Sequence, residues 1–160
     1  GDPQLPTLQE RFTTIATAKV ATSAREAFDL GLLHHDKDMV VVNIDRQISE
    51  AKAKVLELAE AGYTQPVPRE DILVLGKTAL GALYAGTEAF ELSNYATAHD
   101  KKIARKLAFV MCGGDLSQPT RVSEQYLLDL EREAFLSLLG EKKTLERIQS
   151  ILKGGKPLRN

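Results

Sequence analysis

From Ile44 to Leu58 the apolar residues Ile44, Ile48, Ala51, Val55 and Leu58 return at helical spacing, while Glu50, Lys54, Glu57 and Glu60 turn away from them. A strand would scatter these residues over both of its faces; only a helix gathers them into one stripe, over about four turns. Asn43 or Asp45 can cap its start, and Gly62 is placed to end it. A chain organised around such a segment buries its apolar surface helix against helix.

The rest of the chain follows the same grammar. Pro6 and Thr7 open a first helix with Leu8, Phe12 and Ile15 on one face. Ser23 and Glu26 form a capping box, in which Ser23 accepts from the third helical amide and Glu26 reaches back to the Ser23 amide; Gly31 supplies the left-handed end. The β-branched run from Asp38 to Asn43 predicts a short strand. Tyr63 to Pro68, with Pro66 and Pro68, breaks regular structure and predicts a loop at 63–68 where the chain could divide internally. Ile72 to Leu75 predicts a second strand. Lys77 to Leu92 then reads as a largely buried helix, in which Ala79, Gly81 and Gly86 allow close backbone approach. Ala98 to Cys112 follows, with Ile103, Leu107 and Val110 inward and Gly113 and Gly114 at its end. Ser123 opens a helix with Leu127, Leu130, Ala134 and Leu138 on one face, closed by Gly140. A last helix carries Leu145, Ile148 and Leu152 and stops at Gly154 and Gly155. The fold class expected is mainly α, with at most two short β-strands, as a single helical domain over 1–160.

Size and charge narrow the functions. At 160 residues the chain can bury a core without disulfide staples. Lys and Arg number 21 against 22 Asp and Glu, so no basic excess points to nucleic acid. A lone Cys112 excludes an internal disulfide and fits a reducing compartment, and no run reaches the length of a membrane span; the cytoplasm is the expected location. A start at Asp2-Pro3-Gln4-Leu5-Pro6 directly before a helix reads as a piece cut from a longer protein.

The local motifs give no catalytic centre. Gly76-Lys77-Thr78 after an apolar run has the end of a phosphate-binding loop, but the glycine required five residues earlier is Asp71. Gly76 then ends a strand and Lys77 is solvated. His34, His35, Asp36 and Asp38 are metal-ligand types, yet adjacent histidines diverge on an extended backbone and read as a solvated turn. His99 beside Asp100 reads as an exposed polar residue at a helix start. Cys112, with no adjacent base, reads as a buried inert thiol. Glu131 and Glu133 lie on different helix faces and read as surface. Neither a catalytic residue nor a metal site is assigned.

One resemblance covers the chain from about Phe12 onward. Ser23-Ala-Arg-Glu26-Ala-Phe-Asp-Leu-Gly31-Leu resembles the segment that closes the core of crotonases, the enoyl-CoA hydratase/isomerase superfamily. Leu130 through Pro157 resembles their paired C-terminal helices with a basic ending. Ala59-Glu-Ala-Gly-Tyr63-Thr, Val74-Leu-Gly-Lys-Thr78 and Ala108-Phe-Val-Met-Cys-Gly113-Gly-Asp-Leu116 are similar to the C-terminal part of bacterial 3-hydroxyacyl-CoA dehydrogenases that append a crotonase-like region to a nicotinamide-binding half. The resemblance implies a parent that oxidises 3-hydroxyacyl-CoA with NAD in fatty-acid β-oxidation. The dinucleotide turn and the oxyanion donors would lie upstream of this stretch, so it would bind no NAD and be inactive alone. Its implied partners are the rest of the parent chain, acyl-CoA and a second subunit in a homo-oligomer. Positions matching family residues near the CoA nucleotide are Phe135, Lys153 and Lys156. Lys153 and Lys156 are the candidate contacts to CoA phosphates, against core packing for Phe135 and a solvated tail for the lysines. A competing reading is an independent helical interaction or oligomerisation module; a third is a small helical enzyme using His34, His35 or Cys112.

Overall fold

The computed structural model describes residues 3–160. It is mainly helical, with two short antiparallel strands, in the order α1 (Leu5–Ala16), α2 (Ala24–Asp29), a 3-10 turn (Ile44–Arg46), α3 (Gln47–Glu60), β1 (Ile72–Val74), α4 (Gly76–Leu92), α5 (Ala98–Met111), β2 (Thr120–Val122), α6 (Glu124–Leu139) and α7 (Lys142–Gly154). The chain divides into two compact units, one formed by the segment up to Ala18 together with Pro68–Asn160, the other by Lys19–Val67.

The larger unit holds the core. Phe12 of α1, Ala79, Leu80 and Leu83 of α4, and Ala108 and Cys112 at the end of α5 are buried together, with Leu5, Leu8, Tyr84 and Leu107 packed around them. Close helix approach comes from Ala79, Ala108 and Cys112. Contrary to the sequence expectation, a Cβ on Gly81 or Gly86 would meet nothing, because both face away from the packed side of α4. Ile15 is exposed, one turn past the reach of the core. Ile103, Leu107 and Val110 are half-buried on α5. On α6, Ser123 accepts from the Tyr126 amide, and Leu127, Leu130, Ala134 and Leu138 turn inward as their spacing predicts. On α7 the inward residues are Thr144 and Ile148; Leu145, about 100° round the helix from Thr144, and Leu152, near the C-terminal end, stay exposed, against expectation.

The strands clamp the α4 and α5 pair. β1 and β2 pair with Ile72 opposite Val122 and Val74 opposite Thr120, and Val74 is buried. Gly76 does not merely end β1. It takes φ +67° and opens α4, its amide donating to Cys112 O at 3.1 Å, while the Lys77 amide donates to Leu116 O at 2.9 Å. The α5 C-terminus turns through Gly113 and Gly114, both left-handed, and Tyr126 Oη donates to Gly113 O at 2.9 Å.

The smaller unit has no buried residue. Ser23 Oγ accepts from the Glu26 amide at 3.1 Å, as expected, but the Glu26 carboxylate accepts from the amide and hydroxyl of Thr22 rather than from Ser23. The threonine offers two donors one residue earlier, and these bonds hold the Glu26 carboxyl below its ordinary pKa. Gly31 is left-handed at φ +66°. The run from Asp38 to Asn43 is not a strand: Met39, Val40 and Val42 are 54%, 47% and 96% exposed, and β propensity counts only where branched side chains pack on a half-buried sheet face. Asn43 caps the 3-10 turn, accepting from the Asp45 amide, and α3 grows from that turn to end near Gly62 at φ +77°.

Candidate functional site

The densest polar arrangement in the described residues joins α5 to α7 and the end of the chain. Thr97 and Asp100 form a capping box at the α5 N-terminus, the Asp100 carboxylate accepting from the Thr97 amide at 2.9 Å. The other Asp100 oxygen accepts from Arg147 of α7 at 2.6 Å. Arg147 also donates to the side chain and the backbone oxygen of Asn160, and Asn160 Nδ2 donates to Glu146 at 2.7 Å. Burial alone would raise the Asp100 pKa, but the bonds from Thr97 and Arg147 outweigh it and hold the carboxyl low. One helical turn away, Lys102 bonds Glu141 at the α7 N-cap, which lowers the Glu141 pKa.

His99 sits inside this joint. The sequence reading placed it on the surface; instead it is 4% exposed, with Nε2 3.0 Å from Thr144 Oγ1. The helix start is covered by α7, which a local reading cannot foresee. Desolvation, then the positive charge of Arg147, lowers its pKa, so the ring is held neutral. Asp100 is committed to Thr97 and Arg147; Glu141, whose charge acts on His99, is bonded to Lys102; and the hydroxyl that His99 touches is itself buried. The arrangement fastens helices. It is not built as a nucleophile and base pair.

Beside it lies a shallow depression of about 450 Å³, lined by Glu146, Gln149, Ser150, Lys153, Gly154 and Leu158. Lys153 is in the last turn of α7, and Gly155 at φ +63° reverses the chain so that Ser150 Oγ donates to Lys156 O at 2.9 Å. Both lysine side chains are exposed. Phe135, expected in the core as the simpler reading, is 52% exposed; it follows Ala134 on α6 and so faces about 100° away from the buried stripe.

The remaining candidates are dispersed. Cys112 is fully buried and its thiol is pushed up to about 11 by desolvation. His35 stacks on Phe28 at 4.0 Å between ring centroids, and the His34 amide donates to Asp38 Oδ2 at 2.7 Å within an exposed turn. Lys77 is exposed, 3.7 Å from Asp115. Glu131 and Glu133 are exposed. Among the described residues no group of three or more His, Cys, Asp or Glu could hold a metal ion, and no helix is long and apolar enough to cross a membrane.

With that geometry in view, the comparisons give one clear relative. Over all 160 residues the chain is 44% identical to a probable 3-hydroxyacyl-CoA dehydrogenase of Bacillus subtilis (strain 168). The match is to a part. The chain spans 20% of that protein's length. No family model matches it, and no solved structure matches it.

Sequence reasoning missed Arg147, Thr144, Thr97 and Asn160. The Thr97-x-x-Asp100 spacing before an apolar-periodic run was a readable capping signal. The partnership of Asp100 with Arg147 spans 47 positions and leaves no local trace.

Proposed function

We propose that this chain is the C-terminal, crotonase-like portion of a cytoplasmic, NAD-dependent 3-hydroxyacyl-CoA dehydrogenase of fatty-acid β-oxidation, and that it is not catalytic alone. The observation that carries the reading is the end-to-end 44% identity to one fifth of a probable enzyme of that name. The strand-to-helix turn at Gly76 does not fit a dinucleotide phosphate. Its first two amides are spent on Cys112 O and Leu116 O, and a Cβ there would lie 2.8 Å from Leu116 O and Gln118 O, so protein carbonyls occupy the place a phosphate would need. On this reading NAD belongs to other parts of the parent, and no hydride step is assigned to this stretch.

Its contribution to the reaction is binding and assembly. Lys153, which lines the depression, and Lys156, on the other side of the turn at Gly155, supply positive charge for the phosphates of acyl-CoA. The competing role for Lys153 is to complement the negative end of the α7 dipole. An independent interaction module is the second reading, favoured by the closed core of the larger unit.

The test is a chimera in which this chain replaces the matched fifth of the Bacillus subtilis protein. NAD-dependent oxidation of 3-hydroxyacyl-CoA should persist in the chimera and be absent from the chain alone. An inactive, folded chimera, or turnover by the isolated chain, refutes the reading. Lys153→Ala with Lys156→Ala in the chimera should weaken acyl-CoA binding several-fold at low salt and less at high salt, each exposed contact contributing about 1 kcal/mol. Unchanged affinity and salt dependence would leave both lysines as solvated tail.

A further inference from the structure

From Gly155 to Asn160 the chain runs back along α7 as a strap. Gly155 reverses it at φ +63°, and Pro157 fixes its own φ and biases Lys156 to an extended backbone, so the helix does not continue. Five extended residues span about 16 Å, and about 12 Å of helix separates Gly155 from Arg147, so the strap reaches back that far. Two anchors hold it. Near its start Ser150 Oγ donates to Lys156 O at 2.9 Å. At its far end Asn160 Oδ1 accepts from Arg147 Nε at 2.8 Å, its backbone oxygen accepts from Arg147 Nη2 at 3.3 Å, and its Nδ2 donates to Glu146 Oε2 at 2.7 Å and to Lys143 O at 3.3 Å. Leu158, between the anchors, is the strap residue that lines the depression.

Glu146 is the carboxylate in that lining, and left to itself it would repel an anion approaching Lys153. Asn160 Nδ2 engages one of its oxygens, and Lys142 Nζ lies 3.8 Å from the other. We propose that Asn160 is a positioning residue for acyl-CoA: it pins the strap so that Leu158 walls the depression, and it engages Glu146 so that this carboxylate does not oppose the phosphate held at Lys153. The inference rests on the acyl-CoA reading above. Asn160 acts through Leu158 and Glu146, not by touching the ligand.

The probe is CoA, titrated by calorimetry into the full chain. Asn160→Ala should weaken binding about fivefold, the loss of one exposed contact, and Leu158→Ala should do the same. Asn160→Asp keeps an acceptor for Arg147 but sets carboxylate against carboxylate, and should also weaken binding. Adding Glu146→Gln to it restores a donor and an acceptor between the two positions at the original net charge, and should recover the affinity. The NMR signal of the Arg147 Nε–H, slow to exchange while bonded to Asn160, reports the pin without ligand; it should be lost in Asn160→Ala and kept in Leu158→Ala and in the swapped pair. A lowered melting temperature with unchanged CoA affinity in Asn160→Ala, or no recovery in the swapped pair, would make Asn160 a structural stitch and overturn the proposal. Weakened binding in Lys153→Ala with Lys156→Ala beside unchanged binding in Asn160→Ala would overturn it while the lysine site stands. A chain that does not bind CoA removes both, and the parent reading is then still judged by turnover in the chimera. If Asn160→Ala fails to fold, Leu158→Ala and the swapped pair decide.

Discussion

Gly76→Ala is a small change that meets fixed backbone. The residue holds φ +67°, which costs an L side chain about 1–2 kcal/mol. The new Cβ would also lie 2.8 Å from the carbonyl oxygens of Leu116 and Gln118, and both are backbone, so neither can swing aside by changing rotamer. Relief requires moving the segment between Gly114 and β2, which carries the acceptor of the Lys77 amide. Overpacking of this kind adds about 1–3 kcal/mol, for a total of about 2–5 kcal/mol against the 5–15 kcal/mol that holds a typical domain. Gly155→Ala is the matched control in the same unit, with φ +63° and nothing within 4 Å of its Cβ, and should lose only the conformational part. Urea denaturation followed by circular dichroism gives both losses from midpoint shifts at unchanged slope. Equal losses in the two variants would refute the assignment of close backbone approach to Gly76.

Two further predictions follow from buried groups. Cys112, fully buried with its thiol pushed up to about 11, should resist Ellman's reagent at pH 8 in the folded chain and react at once in urea; rapid native labelling would show that the α4 and α5 core opens readily. His99 titrates near 6.5 when unfolded and lower when folded, so between those values the unfolded chain binds more protons. Its contribution to stability is complete above pH 6.5 and is lost as pH falls through the folded value. Asp100 and Glu141 lose theirs below 3.8 and 4.5, so the slope of stability from pH 6.5 down to 4.5 is the window for His99, and His99→Gln should flatten it.

Helices and their ends were legible because their signals are local. Ser23 and Ser123 cap where their spacing to the following amides requires, and Gly31, Gly62 and Gly155 are left-handed where the chain must turn. What covers each helix was not legible. His99 reads as a surface residue until α7 lies over it, and the Asp38 to Asn43 run reads as a strand until its branched side chains are found exposed. The same limit misplaced Phe135 and the small residues of α4, since periodicity marks an apolar face without saying whether it is met by alanine, by another helix or by nothing. Of the candidate site, the lysines came only from the resemblance to crotonase C-terminal helices, while the Arg147, Asp100 and Asn160 joint depended on contacts distant in sequence.

The chemistry of that joint limits how this stretch can influence a reaction. Its histidine is buried and neutral, and its best-placed carboxylate is bonded to Arg147. Groups so committed cannot strengthen an interaction as charge develops in a transition state, which is the only kind of contact that raises kcat. On the reading proposed above, what this stretch adds is binding that is equal in ground and transition states. In the chimera, therefore, Lys153→Ala with Lys156→Ala should raise the KM for 3-hydroxyacyl-CoA with kcat unchanged, provided chemistry is slow relative to substrate release. Loss of kcat at constant KM would show that the tail acts on the reacting atoms, and the account of this region as a binding and assembly element would fail.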